Sequence, residues 1–331
     1  MILKNNGQFA AGHGIMQENR SDIHAITVNC QEEKKLERAD IRTELNLMAL
    51  ECMSAVLTQN PRIIEMQSVR EVMACGVSEQ EAMVQLLMAA LGLDARADEM
   101  HGLLERQYFR PSLKRLEASD YRQNPYSRLI RFPEAGQGRW TMTHMAYAPY
   151  ELFVRDDLLV LPDGREIPQM GYFAEPFDYP AVLQDGREWM TITPNEIATM
   201  QPAIDEIHGH VAVMGLGLGY FALMASEKEC VSRVTVIERD KDAIALFRQH
   251  ILPQFPHAQK IRIICTDAFE YVKDSLGRLG ADFAFVDLWH DVSDGAPMYI
   301  RMKALERFAP GTKFLYWIET SIQAFLRNLN Q

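Results

Sequence analysis

The sequence predicts an α/β fold whose C-terminal part is a parallel sheet with helices on both faces. Three observations carry that expectation. From residue 193 onward, short apolar runs alternate with segments of helical period. One of those runs, Val211-Ala212-Val213-Met214, passes directly into Gly215-Leu216-Gly217-Leu218-Gly219. Carboxylates then close three later strands, at Glu238, Asp267 and Asp287.

Taken in order, the chain of 331 residues divides into four stretches. Residues 1–30 lack the apolar core of a secretory signal and carry Gly7, Gly12 and Gly14 without periodicity, so they are expected to be a mobile arm. Residues 31–135 are expected to form an all-helical domain. Leu36, Ile41, Leu45, Met48 and Cys52 share a helix face, and Asn60-Pro61 ends that helix. Cys75-Gly76 stops the next one. Ser78 and Glu81 have capping-box spacing ahead of a third helix that closes at Gly92, and a fourth is expected over Arg96–Tyr108. Seven methionines in this domain (Met48, Met53, Met66, Met73, Met83, Met88, Met100) read first as core filler, and second as an adaptable surface through which a homo-oligomer would form. Residues 140–192 switch to a strand pattern. Asp163-Gly164 and Asp185-Gly186, each between apolar runs, predict two hairpins linking the domains.

The domain over 193–331 opens at Thr193-Pro194-Asn195-Glu196, spaced as a second capping box. Strands are predicted at His210–Met214, Val234–Glu238, Ile261–Cys265, Phe283–Asp287 and Lys313–Glu319. Helices are predicted to begin at Tyr220, Lys241, Phe269 and Pro297.

Composition excludes several classes. A net charge of −11 without Lys/Arg clusters argues against nucleic acid and for a small or cationic substrate. No apolar run approaches the ~20 residues that span a bilayer, so no membrane partner is expected. Five cysteines without a C-x-x-C pair suit reduced thiols in a cytoplasm rather than disulfides or zinc. His208 and His210 lie where the first strand is entered, away from any crevice at its far end, and no metal site is expected.

The ligand chemistry is concentrated in four motifs. The glycines permit a tight turn and close approach of a ligand to the backbone. A dinucleotide-binding turn is similar, but Tyr220 stands where that fingerprint needs a small residue, so the spacing here is G-x-G-x-G. Glu238, 23 positions beyond Gly215, is placed to accept hydrogen bonds from ribose hydroxyls. Asp267 in Thr266-Asp267-Ala268 is placed either to accept the exocyclic amine of adenine or to cap the following helix. Asp287, Trp289, His290 and Asp291 follow the fourth strand, which lies beside the first where strand order reverses, and with Asp294 they make an acidic lip.

In this order the motifs resemble the class I S-adenosylmethionine-dependent methyltransferase superfamily, and the phrases Asp267-Ala268-Phe269-Glu270 and Val286-Asp287 look most like its spermidine synthase branch. The resemblance covers residues 150–320. It implies a Rossmann-like sheet in strand order 3-2-1-4-5, with S-adenosylmethionine as cofactor. Gly215, Gly217 and Gly219 would line the amino-acid arm, Glu238 would bind ribose, Asp267 and Ala268 adenine, and Asp287 would stand at the transfer site. His290 and Asp291 join Asp287 as candidate catalytic groups. Three positions depart from the pattern: Val213 stands where methyltransferases place an acid, and Leu218 and His290 stand where spermidine synthases place aspartates. The resemblance therefore implies a methyltransferase acting on a small molecule. The alternatives are a spermidine synthase-like aminopropyltransferase and a nucleoside-binding module without catalysis.

Overall fold

The computed structural model describes residues 18–329, with side chains from residue 39 onward. The expected arm therefore lies outside the described residues up to position 17, and its remainder is helical, within a long helix Glu18–Gln59. Two further helices, Met66–Met73 and Glu79–Ala90, pack against it. Ser78 accepts the Glu81 amide at 3.2 Å, whereas the Glu81 carboxylate turns to Arg110 instead of closing the box. Gly92, at φ +70°, ends the third helix in a Schellman turn, with Leu93 N–H donating to Met88 C=O at 2.9 Å. Met53, Met83 and Met88 are core residues, and Met66 and Met73 are exposed.

The expectation of a purely helical segment is corrected at β1, Leu113–Leu116. Leu113 and Leu116 are spaced equally well for a helix, but Pro111 closes a helical turn just before them. The run then extends to pair in parallel with Met170–Phe173. The helical layer consequently shares its core with Tyr150, Leu152, Ile167, Met170 and Tyr172.

The middle of the chain is a set of small sheets: β2 Ala135–Gln137, β3 Trp140–Tyr147, β4 Phe153–Val154, β5 Leu159–Val160, β6 Glu166–Ile167, β7 Met170–Phe173, β8 Phe177–Gln184 and β9 Arg187–Thr191. Both Asp-Gly turns form. Gly164 sits at φ +85° between β5 and β6, and Asp185 and Gly186, at +52° and +79°, turn β8 into β9. The second hairpin is part of a larger antiparallel sheet in order β2-β3-β8-β9.

Five strands make the last sheet: β10 Gly209–Met214, β11 Val231–Glu238, β12 Ile261–Cys265, β13 Phe283–Val286 and β14 Lys313–Tyr316. They are hydrogen-bonded in the order β12-β11-β10-β13-β14, and every pairing is parallel. Val211 to Met214 are buried, as a central strand covered on both faces must be, and Phe221 stacks on Phe285 with centroids 3.9 Å apart. Two boundaries are corrected. β14 stops at Tyr316 and a helix Glu319–Leu329 follows, because Ile318 turns the chain at φ +45°. The helix expected from Pro297 begins at Val292, capped by Asp291, with Pro297 inside it. Among the described residues no helix is long and apolar enough to cross a membrane.

Candidate functional site

The carboxyl ends of β10, β11, β12 and β13 open onto one cleft of about 590 Å³. Gly215, Gly217, Glu238, Asp267, Ala268 and Asp287 all line it. Its opposite wall is supplied by the antiparallel sheet, through Trp140, Met142, Val182, Trp189 and Met190. Nothing in the pattern of the parallel strands signals that wall.

The turn after β10 is held by the chain itself. Gly215, Gly217 and Gly219 have φ of +101°, +51° and +78°. A Cβ at Gly215 would land on the Asp287 carbonyl oxygen, one at Gly217 on the Met190 thioether, and one at Gly219 on the Phe247 ring. Gly219 is thus turned toward Phe247 and does not line the cleft. From the other side, Tyr126 donates its buried hydroxyl to Leu218 C=O at 2.7 Å, and Asn124 Nδ2 donates to the Tyr220 hydroxyl at 3.0 Å. We expect Tyr126→Phe to lower unfolding free energy by about 1–3 kcal/mol, because the Leu218 carbonyl is left buried and unpaired. Urea denaturation measures this, and an unchanged midpoint would show the bond to be idle.

Glu238 ties two loops together. Oε2 accepts Leu216 N–H at 3.2 Å and Oε1 accepts Asp240 N–H at 2.8 Å. Each carboxylate oxygen keeps a second acceptor direction for a hydroxyl in the cleft. Asp267 caps the short helix Ala268–Tyr271, accepting Phe269 and Glu270 amides at 2.9 and 3.1 Å, both on Oδ1. Oδ2 is left to face outward bonds, so capping and base recognition are compatible in one side chain.

Asp287 is 9% exposed, and among the described residues no group donates a hydrogen bond to its carboxyl. Burial alone pushes its pKa from the ordinary range up to about 7. Its neighbour across a second, water-sized cavity is Glu196, whose spacing from Thr193 predicts a capping box. That box does not form: Thr193 caps nothing and its hydroxyl is turned to Tyr147. Burial first, then the charges of Asp287 and Glu188, hold Glu196 well above the usual carboxylate range. The signal was legible in the spacing. Glu196, Met200 and Ile204 recur every four residues, placing a half-buried carboxyl on the helix face that carries the buried Met200 and Ile204.

The other transfer-site candidates lie at the rim. Asp291 is the N-cap of Val292–Leu305, accepting Ser293 N–H at 2.7 Å in a full capping box with Asp294. His290 is exposed and leans on Trp189, ring centroids 4.5 Å apart and planes tilted by 38°. Neither lines the cleft, whereas Asp294 and Trp289 do. Trp289 is buried beneath the same helix, where Gly295 leaves room for its ring. His210 bonds Thr235 Oγ1 at 2.9 Å, and His208 meets the Phe283 ring edge-on.

No protein-family model and no curated protein matches this chain. Among solved structures it is similar to precorrin 8W decarboxylase from Methanobacterium thermoautotrophicum, at 23% identity over 41% of this chain and 72% of that one, with a TM-score of 0.30. It is also similar to spermidine synthase from Thermotoga maritima, at 16% identity, 39% of this chain and a TM-score of 0.28, spanning about half (49%) of that protein's length. Both likenesses cover less than half of this chain.

Proposed function

We propose that this chain is an S-adenosylmethionine-dependent transferase that moves a methyl group to a small molecule. One observation supports the reading above all. A single cleft at the carboxyl edge of a parallel sheet brings together the glycine turn, a strand-end glutamate, a strand-end aspartate and an unpartnered buried aspartate. Its volume of about 590 Å³ falls within the ~300–1,000 Å³ of small-molecule sites.

In this reading Glu238 accepts the ribose hydroxyls and Asp267 accepts the adenine amine, while the Ala268 backbone meets a ring nitrogen. The sulfonium donor brings its own reactivity, so the chain's task is alignment and removal of one proton. Asp287, in its apolar setting, takes that proton from the acceptor nucleophile. The aromatic wall of Trp140 and Trp189 excludes water from the far side.

Calorimetry with S-adenosylmethionine, S-adenosylhomocysteine and decarboxylated donor tests the nucleoside site. We expect both carboxylate-bearing ligands to bind, and Glu238→Gln to weaken them about 10-fold or more, the worth of charge-assisted hydrogen bonds to a diol. Turnover of methyl-labelled donor over a panel of amines and hydroxyl compounds tests transfer. Absence of any nucleoside binding overturns the site. Preference for the decarboxylated donor replaces methyl with aminopropyl transfer, and binding without turnover leaves a non-catalytic module.

A further inference from the structure

Between the glycine turn and the helix Pro194–Glu206 lies a cavity of about 20 Å³, room for one water or one ammonium group. It adjoins the large cleft and shares Gly215, Gly217 and Asp287 with it. Its remaining walls are nearly all apolar, and they include Val213 and Leu218, the two positions where the family resemblance leads one to expect an acid. Two carboxyls face this small space, Glu196 and Asp287. Among the described residues neither carboxyl receives a hydrogen bond from the protein, and Asp287 is nine-tenths buried. Carboxyls so placed are costly unless a donor meets them.

We propose that Glu196 and Asp287 form an ammonium pocket, which holds the α-ammonium of the donor's amino-acid arm in the cavity beside the glycine turn. This rests on the nucleoside reading of the adjoining cleft. The chemistry of the cavity selects the ligand group. A water-sized cation with three N–H donors bridges two carboxyls, whereas a sugar or a base does not fit 20 Å³. The acid missing at Val213 and Leu218 is thus restored from a different element, the first turn of the preceding helix.

The pocket also makes binding proton-coupled. Without a cation, two adjacent carboxyls in apolar surroundings cannot both ionise, and they retain protons at neutral pH. Glu188 on β9 adds its own negative charge to Glu196 and is itself opposed by His290. Seating an ammonium favours the ionised pair, so protons leave the carboxyls for solvent.

Calorimetry in buffers of different ionisation enthalpy, comparing S-adenosylhomocysteine with 5′-methylthioadenosine, separates the outcomes. The second ligand keeps the nucleoside and lacks the amino-acid arm. We expect S-adenosylhomocysteine to bind tighter and to release about one proton near pH 7, and methylthioadenosine to release none. Glu196→Gln should weaken S-adenosylhomocysteine about 10- to 100-fold and leave methylthioadenosine within about 2-fold, which also shows that the variant is folded. Equal affinity of the two ligands, or a variant that loses both alike, overturns the pocket while the nucleoside site stands. If neither ligand binds the unaltered protein, the nucleoside reading falls and the pocket with it.

Discussion

Gly215→Ala should cost this protein about 2–6 kcal/mol of folding stability, the sum of a side chain forced to positive φ and an overpacked contact. The residue sits at φ +101°, and the obstacle in front of its missing Cβ is the Asp287 carbonyl oxygen. That oxygen cannot step aside cheaply. The Asp287 amide donates to Met214 C=O at 3.0 Å, and the neighbouring Val286 C=O accepts Trp317 N–H at 3.0 Å, so the end of β13 is pinned on two sides. Against a total of ~5–15 kcal/mol for a folded protein, such a loss is a large fraction. Urea denaturation followed by fluorescence measures it. A loss below about 1 kcal/mol would mean that the turn has slack and that its glycines are kept for another reason. Gly217→Ala provides the contrast, because its obstacle is the flexible Met190 thioether, which can rotate away. Its effect should fall mainly on ligand affinity, since Met190 lines the cleft.

These glycines show how far the sequence could be read. The succession of strand, glycine turn and strand-end acids puts six residues, Gly215, Gly217, Glu238, Asp267, Ala268 and Asp287, along one edge, because in a parallel sheet every strand delivers its C-terminal residue to the same side. Asp-Gly hairpins were legible for a similar local reason, the tolerance of both residues for positive φ. What remained hidden is non-local. Leu113–Leu116 becomes a strand only because β7 offers a parallel partner nearly sixty residues away in sequence. Trp140 and Met190 reach the site from segments whose own patterns announce hairpins, and Tyr126 reaches the glycine turn from the stretch expected to be helical, none of them announcing ligand contact. Thr193 and Glu196 failed in the opposite sense: their spacing matched a local motif, but the Thr193 hydroxyl turns to Tyr147 and the Glu196 carboxyl faces the small cavity beside Asp287.

Asp291 and His290 show a related competition. An aspartate between a strand end and a helix start satisfies two descriptions at once, and the structure assigns Asp291's carboxylate to the helix amides. Asp287, four residues earlier, has no such outlet. Its carboxyl is nine-tenths buried and receives no hydrogen bond from the described residues, which is the arrangement that raises an acid's pKa.

That arrangement has a thermodynamic signature. The ordinary aspartate value of 3.8 applies to the unfolded chain, and the folded value is about 7, so the native state holds the proton more tightly. The stabilisation from protonated Asp287 is therefore complete below about pH 4 and is lost as pH rises toward and through 7. At 1.36 kcal/mol for each tenfold change in proton affinity, the loss amounts to about 4 kcal/mol. Asp287→Asn, which is isosteric and cannot ionise, should abolish it. Carboxylates held low by their partners, such as Glu81 beside Arg110, push the whole-protein curve the other way, so the quantity to measure is the difference between the two proteins. Between pH 4 and 8 the variant should gain on the unaltered chain by an amount approaching that figure. Glu196 remains behind, and with Asp287's charge gone it titrates lower than before while burial still holds it up. The same substitution should slow methyl transfer by about 10²–10⁴-fold, the usual worth of a positioned general base. A difference curve flat with pH would show Asp287 to be ionised and solvated in the folded protein. The protonated state of the buried acid, and with it the proton release expected when a cation is seated beside it, would then be lost.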